Sequence, residues 1–113
     1  MIKCILLIPL RYNDGTEVPE PVVSQVLDEI YDRFGGHSMA GIIQGAYRMA
    51  NGRRADDQSI QLWVGIEKDQ LPALERMARR FARMLKQESI WFEVTKSDVR
   101  LVKPEPESED DNG

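Results

Sequence analysis

Asn51-Gly52, the strongest short-range signal for a hairpin, stands near the middle of the chain between two strand-like segments. Residues 39–49 before it are extended in character and rich in glycine and alanine. After it, over residues 59–67, Ile60, Leu62, Val64 and Ile66 alternate with Gln61, Trp63, Gly65 and Glu67, the period of a strand with two different faces. Two antiparallel neighbours joined by a two-residue turn are expected. The rest of the chain has to pack around that pair.

Residues 2–10 are apolar at almost every position, with β-branched Ile2, Ile5 and Ile8, which suits a strand buried on both sides. A polar loop with Asn13-Asp14-Gly15 follows. Pro21 then opens a helix, where a missing N–H costs nothing. Val22, Val26, Ile30 and Val23, Leu27, Tyr31, Phe34 recur at helical spacing, and Gly35-Gly36 ends the run. Residues 69–88 predict a second helix. Its inner face carries Leu71, Leu74, Met77, Phe81 and Leu85, and its outer face carries Arg76, Arg79, Arg80, Arg83 and Lys86. Residues 90–95 alternate again as a strand, and 99–102 read as a short extension or a fifth, edge strand. The order β-α-β-β-α-β with right-handed crossovers is that of an α+β, ferredoxin-like sandwich: an antiparallel sheet with both helices on one face.

The 113 residues make one domain, read as 1–103, followed by an acidic tail at 104–113 that is expected to be disordered. The tail holds five of the 19 acidic residues and no base, so the net charge of −4 conceals a nearly neutral body with 15 basic against 14 acidic side chains. No strong field favours nucleic acid or anionic lipid, and no apolar run approaches the ~20 residues that span a bilayer. Cys4, the single cysteine, sits in the first apolar run; without an internal disulfide partner it indicates a reducing, cytoplasmic setting. The apolar N-terminus is short, contains Pro9 and leads into Arg11 without a cleavage-type sequence, so it is read as a strand rather than a targeting signal.

Two helices cover only one face of a four-stranded sheet. If Ile60, Leu62, Ile90 and Phe92 face the helices, then Trp63 and Trp91 lie on the bare face beside Ile5 and Leu7, and Tyr47 joins them. An apolar patch of that kind on a small domain calls for a cover. The expectation is a homodimer through Ile5, Leu7, Trp63 and Trp91. The competing possibility is that residues 98–103 fold back over the patch.

No phosphate-binding glycine loop, zinc spacing or nucleophile elbow is present, and neither a metal nor a cofactor is expected. His37, the only histidine, falls at the opposite end of the second strand from Glu88, which argues against a dyad between them. The other end of the sheet gathers Arg11, Tyr12, Asn13 and Asp14 from the first loop, Arg53, Arg54, Asp56 and Asp57 from the hairpin, and Gln87-Glu88 from the end of the second helix. Arg11, Tyr12, Arg54 and Gln87 are therefore candidate ligand-binding residues, and Glu88 or Asp57 is a candidate catalytic carboxylate. Ordinary surface ion pairs account for the same residues. The arginine stripe on the second helix invites a nucleic-acid reading. However, the first strand lacks the aromatic and the third the basic-Gly-aromatic motif of ferredoxin-like RNA-binding domains, and the stripe lies away from the surface they use.

Phe34-Gly35-Gly36-His37-Ser38, Gly45-Ala46-Tyr47, Asp57-Gln58-Ser59 and Lys86-Gln87-Glu88-Ser89-Ile90 together resemble small bacterial families of ferredoxin-like domains. Those families share an aromatic-Gly-Gly segment, a Gly-x-aromatic strand and a terminal Gln-Glu-Ser/Ala-aliphatic signature. The resemblance spans residues 34–94, with Tyr47 where the pattern carries tryptophan. It brings no activity with it, but it singles out Gln87 and Glu88. Three readings stand: a homodimeric module binding a small molecule or a protein; a small enzyme with a carboxylate acid/base and an arginine anion clamp; and a nucleic-acid binder using the second helix.

Overall fold

The computed structural model describes residues 1–106. The elements run β1 (Ile2–Pro9), α1 (Glu20–Phe34), β2 (Ser38–Arg48), β3 (Arg54–Ile66), a 3-10 turn (Lys68–Gln70), α2 (Leu71–Met84) and β4 (Phe92–Thr95). One antiparallel sheet has the order β2-β3-β1-β4. With both helices on one side, this is the ferredoxin-like α+β arrangement.

The period-2 pattern of β1 and β3 decides which side the helices take. Cys4, Leu6 and Ile8 stand opposite Val64, Leu62 and Ile60 and point into the core. There they meet Val23, Val26 and Ile30 from α1 and Leu74, Ala78 and Phe81 from α2. The Tyr31 carbonyl accepts the N–H of left-handed Gly35, which stops α1 (2.8 Å, φ 85°). Glu67 and Gln70 form a reciprocal capping box ahead of α2.

Several boundaries differ from the sequence expectation. The hairpin loop has three residues, 50–52: Gly52 N–H bonds Met49 O (2.9 Å) with Gly52 left-handed at φ 84°, and Met49 N–H bonds Arg53 O (2.8 Å). β3 starts at Arg54, five residues earlier than the alternation of apolar residues showed, because its first turns pair with β2 through polar residues. α2 ends at Met84, not 88. Lys86 takes a left-handed conformation (φ 54°), and Gln87 N–H reaches back to Ala82 O (2.8 Å). Residues 99–102 form no strand: only Val99 N–H bonds Met1 O (3.2 Å), and Leu101 and Val102 are exposed, so this segment does not cover the sheet. Of the acidic tail, 104–106 are exposed and without regular structure, and 107–113 lie outside the described residues.

Candidate functional site

The early end of α2 shapes the site. Once the helix stops, residues 85–91 cross from the helix layer to the sheet edge and form a wall beside the uncovered face. The floor comes from strand parity. Asp57, Ser59, Gln61 and Trp63 of β3 share the bare face with Ile5, Leu7 and Pro9 of β1 and with Ile43, Gly45 and Tyr47 of β2. Between floor and wall lies a cavity of about 610 Å³, within the range of small-molecule sites. Leu7, Ile43, Ile90 and Trp91 supply its apolar surface, and Tyr47, Asp57, Ser59, Gln87 and Glu93 its polar groups. Among the described residues, two carboxylates and no Lys, Arg or His line it, so it is suited to neutral or cationic ligands.

A hydrogen-bond chain braces the closed end. Gln87 Nε2 donates to Leu85 O (3.1 Å) and Arg11 O (3.4 Å), which turns its Oε1 toward Tyr47. The Tyr47 hydroxyl lies 3.4 Å from that oxygen and 3.1 Å from Asn13 Oδ1, two acceptors for one proton. Burial, followed by the charges of Asp57 and Glu88, raises the Tyr47 pKa. Burial, followed by neighbouring Asp56, raises that of Asp57 above the usual aspartate value. Ser59 is 1% exposed, and its Oγ has no hydrogen-bond partner, a state that costs about 1–3 kcal/mol in a folded protein.

The structure distributes the candidate residues over the cavity and the groove beside it. Gln87 and Asp57 border the cavity. Arg54 has the opposite parity from Asp57, pairs with Asp56 (2.9 Å) and borders a separate groove with Arg11, Gln44 and Gln58. Asp57 borders that groove as well, so both arginines share a groove with the Asp57 carboxyl although neither lines the cavity. Glu88 accepts the Ala50 N–H at 3.2 Å on both oxygens and clasps the hairpin loop. Tyr12 packs at the edge of the core with Lys86 Nζ 5.2 Å above its ring. His37 precedes β2, whereas Glu88 meets the loop that follows it. On α2, Arg80 is bidentate to Glu29 (3.2 and 2.9 Å) and Arg79 pairs with Glu75 (3.2 Å), so half of the outer stripe of four arginines is neutralised by its own fold.

Both tryptophans stand on the bare side. Trp63 lies opposite Ile5, is 39% exposed and carries Lys3 Nζ at 4.1 Å over its ring. Trp91, 61% exposed, accepts the Leu7 N–H on its carbonyl (3.2 Å) and donates from Nε1 to Glu93 (3.1 Å).

Sequence reasoning did not single out Ser59, Glu93 or Gly45 as site residues. Counting back in steps of two from Trp63 to Gln61, Ser59 and Asp57 would have found the floor, had the strand been extended to Arg54.

Comparison with protein-family models returns no match, and neither does comparison with curated proteins. Among solved structures the fold is similar to a phage SAM lyase in complex with S-methyl-5'-thioadenosine, at TM-score 0.67 and 18% identity, covering 83% of this chain and 79% of that one. It is also similar to a phage SAM lyase in its apo state, at TM-score 0.64 and 20% identity, covering 95% of this chain and 92% of that one. At these identities the likeness establishes a shared fold. Among the described residues, no helix is long and apolar enough to cross a membrane.

Proposed function

We propose that this chain is a small enzyme acting on an adenosyl sulfonium of the S-adenosylmethionine type, bound in the bare-face cavity with the Asp57 carboxyl beside the reacting centre. The observation that carries the reading is the make-up of the cavity: apolar and aromatic walls, two carboxylates, and no basic side chain. A sulfonium is a cation enclosed in carbon, so it suits both the Trp91 ring and an acidic lining. Cleaving a carbon–sulfur bond returns the bonding pair to sulfur as a neutral thioether, while an oxygen of the substrate's own carboxylate bonds the carbon that leaves and closes a lactone. This discharges the cation, which weakly polar walls favour over water. The Asp57 carboxyl, its pKa raised by burial and by Asp56, holds its proton to higher pH than an ordinary aspartate, which suits it to proton transfer. The likeness to phage SAM lyases, one holding S-methyl-5'-thioadenosine, supports the same class of substrate. Arg11 and Arg54 do not line the cavity but border the neighbouring groove, which shares Asp57 with it, so the sulfonium itself needs no arginine clamp in this reading.

The test is to incubate the protein with S-adenosylmethionine and follow S-methyl-5'-thioadenosine by chromatography, with calorimetric titration of the same two compounds. Release of the thioether by wild type and its loss in Asp57→Asn would support the proposal. Absence of both binding and release would remove it.

A second reading concerns the same face, whose Leu7, Ile43 and Trp91 also line the cavity. Exposed Ile43, Trp63 and Trp91 share it with Ile5 and Leu7, which supports self-association through the uncovered sheet. Buried, unpaired Cys4 fits a reducing, cytoplasmic setting.

A further inference from the structure

We infer that Ser59 is the hydroxyl with which the cavity reads an alcohol group of its ligand, namely a ribose hydroxyl, so that the site discriminates sugar-bearing ligands from their deoxy counterparts. The inference rests on the reading of the bare-face cavity as an adenosyl site.

The position of Ser59 explains why its hydroxyl is unsatisfied. It stands between Ile43 of β2 and Pro9 of β1, and neither side chain can donate or accept a hydrogen bond. The other buried side-chain atoms without partners among the described residues belong to His37, Thr95 and Ser97, none of which lines this cavity. Folded proteins leave few such groups, and Ser59, a lining residue of a ligand-sized cavity, gains a partner from the ligand once its closed-off hydroxyl rotates toward the cavity.

The neighbouring groups narrow the chemistry. The other polar side chains of the cavity that can donate are engaged or exposed: Tyr47 and Gln87 bond each other and the first loop, Trp91 bonds Glu93, and Ser89 is exposed. Asp57, two residues before Ser59 on the same face, supplies an acceptor about 7 Å away along the strand. A carboxylate so close, with no cationic side chain in the lining, disfavours phosphate or carboxylate as the partner. A pair of alcohols suits the two groups, one accepting from Ser59 and the other donating to Asp57. The two hydroxyls of one ribose can engage one group each.

The experiment measures the affinity of wild type and Ser59→Ala for S-methyl-5'-thioadenosine and for its analogue lacking both ribose hydroxyls, together with the melting temperature of each ligand-free protein. Ser59→Ala is expected to melt at or above the wild-type temperature, since it removes an unpaired buried hydroxyl. It is also expected to bind the ribose compound about tenfold more weakly while binding the analogue as wild type does. Equal wild-type affinity for the two compounds overturns the inference without any variant. A Ser59→Ala protein that binds the ribose compound normally, or that melts well below wild type or fails to fold, overturns it too. If wild type binds neither compound, the adenosyl reading of the cavity falls and this inference falls with it.

Discussion

Gly45 faces Asp57 across the β2–β3 ladder so closely that a methyl group on Gly45 would come within 3.3 Å of Asp57 Oδ1. Glycine at this position leaves the carboxyl its place on the cavity floor.

Gly45→Ala should therefore act on the site more than on the fold. The added carbon forces the Asp57 side chain aside by a few tenths of an ångström. Turnover is expected to fall by at least about tenfold, with little change in melting temperature. Thermal melts alongside the thioether-release assay check this, and an unchanged rate would show that the place of Asp57 does not matter.

Asp57 also predicts a pH dependence of stability. Its folded-state pKa is raised, by burial first and by Asp56 second, so the folded protein keeps that proton to higher pH than the unfolded chain. The stability this contributes is complete below the unfolded carboxyl value and is lost as pH rises through the folded one. Asp57→Asn cannot ionise, so its melting temperature should gain on that of wild type as pH rises above the ordinary aspartate value of about 4. A difference that stays constant as pH rises would contradict the assignment.

Glu88 has a different job from Asp57. Both of its oxygens hold the Ala50 N–H, so Glu88→Ala should loosen the hairpin loop and cost about 0.5–1.5 kcal/mol, measured by urea unfolding. The rate at saturating substrate should be nearly unaffected. A Glu88→Ala protein of normal stability but without activity would return Glu88 to the catalytic candidates.

The bare face should drive self-association. Light scattering across a range of concentrations is expected to show a dimer or larger species for wild type. Trp63→Lys combined with Ile5→Lys is expected to yield a monomer with an intact circular dichroism spectrum. A wild type that remains monomeric at high concentration would mean that nothing of its own kind covers this face.

Phe81 tests the core. It is fully buried between α2 and the sheet, and Phe81→Ala should cost about 3–5 kcal/mol in urea unfolding. A cost below about 1 kcal/mol would mean that α2 packs less firmly than the structure shows.

The element order could be read from the chain because it depends on local periodicities. Alternation in residues 59–67, helical spacing in α1 and α2, and Gly35-Gly36 and Asn51-Gly52 at the turns all express backbone preferences over a few residues. They were enough for β-α-β-β-α-β and for placing the helices on one face. The tryptophans' side of the sheet followed from the same alternation.

The cavity could not be read in this way. Asp57 and Arg54 lie three residues apart with opposite strand parity, and only Asp57 reaches the cavity while both border the groove beside it. The wall exists because α2 stops at Met84 through a left-handed residue, Lys86, that no glycine announced. The sequence alone determined the order of strands and helices, because each element follows from the period of its own side chains. Only the tertiary structure decided that Tyr47, Asp57, Ser59, Gln87 and Glu93 share one cavity, because their meeting depends on register and chain crossing between segments up to 46 residues apart.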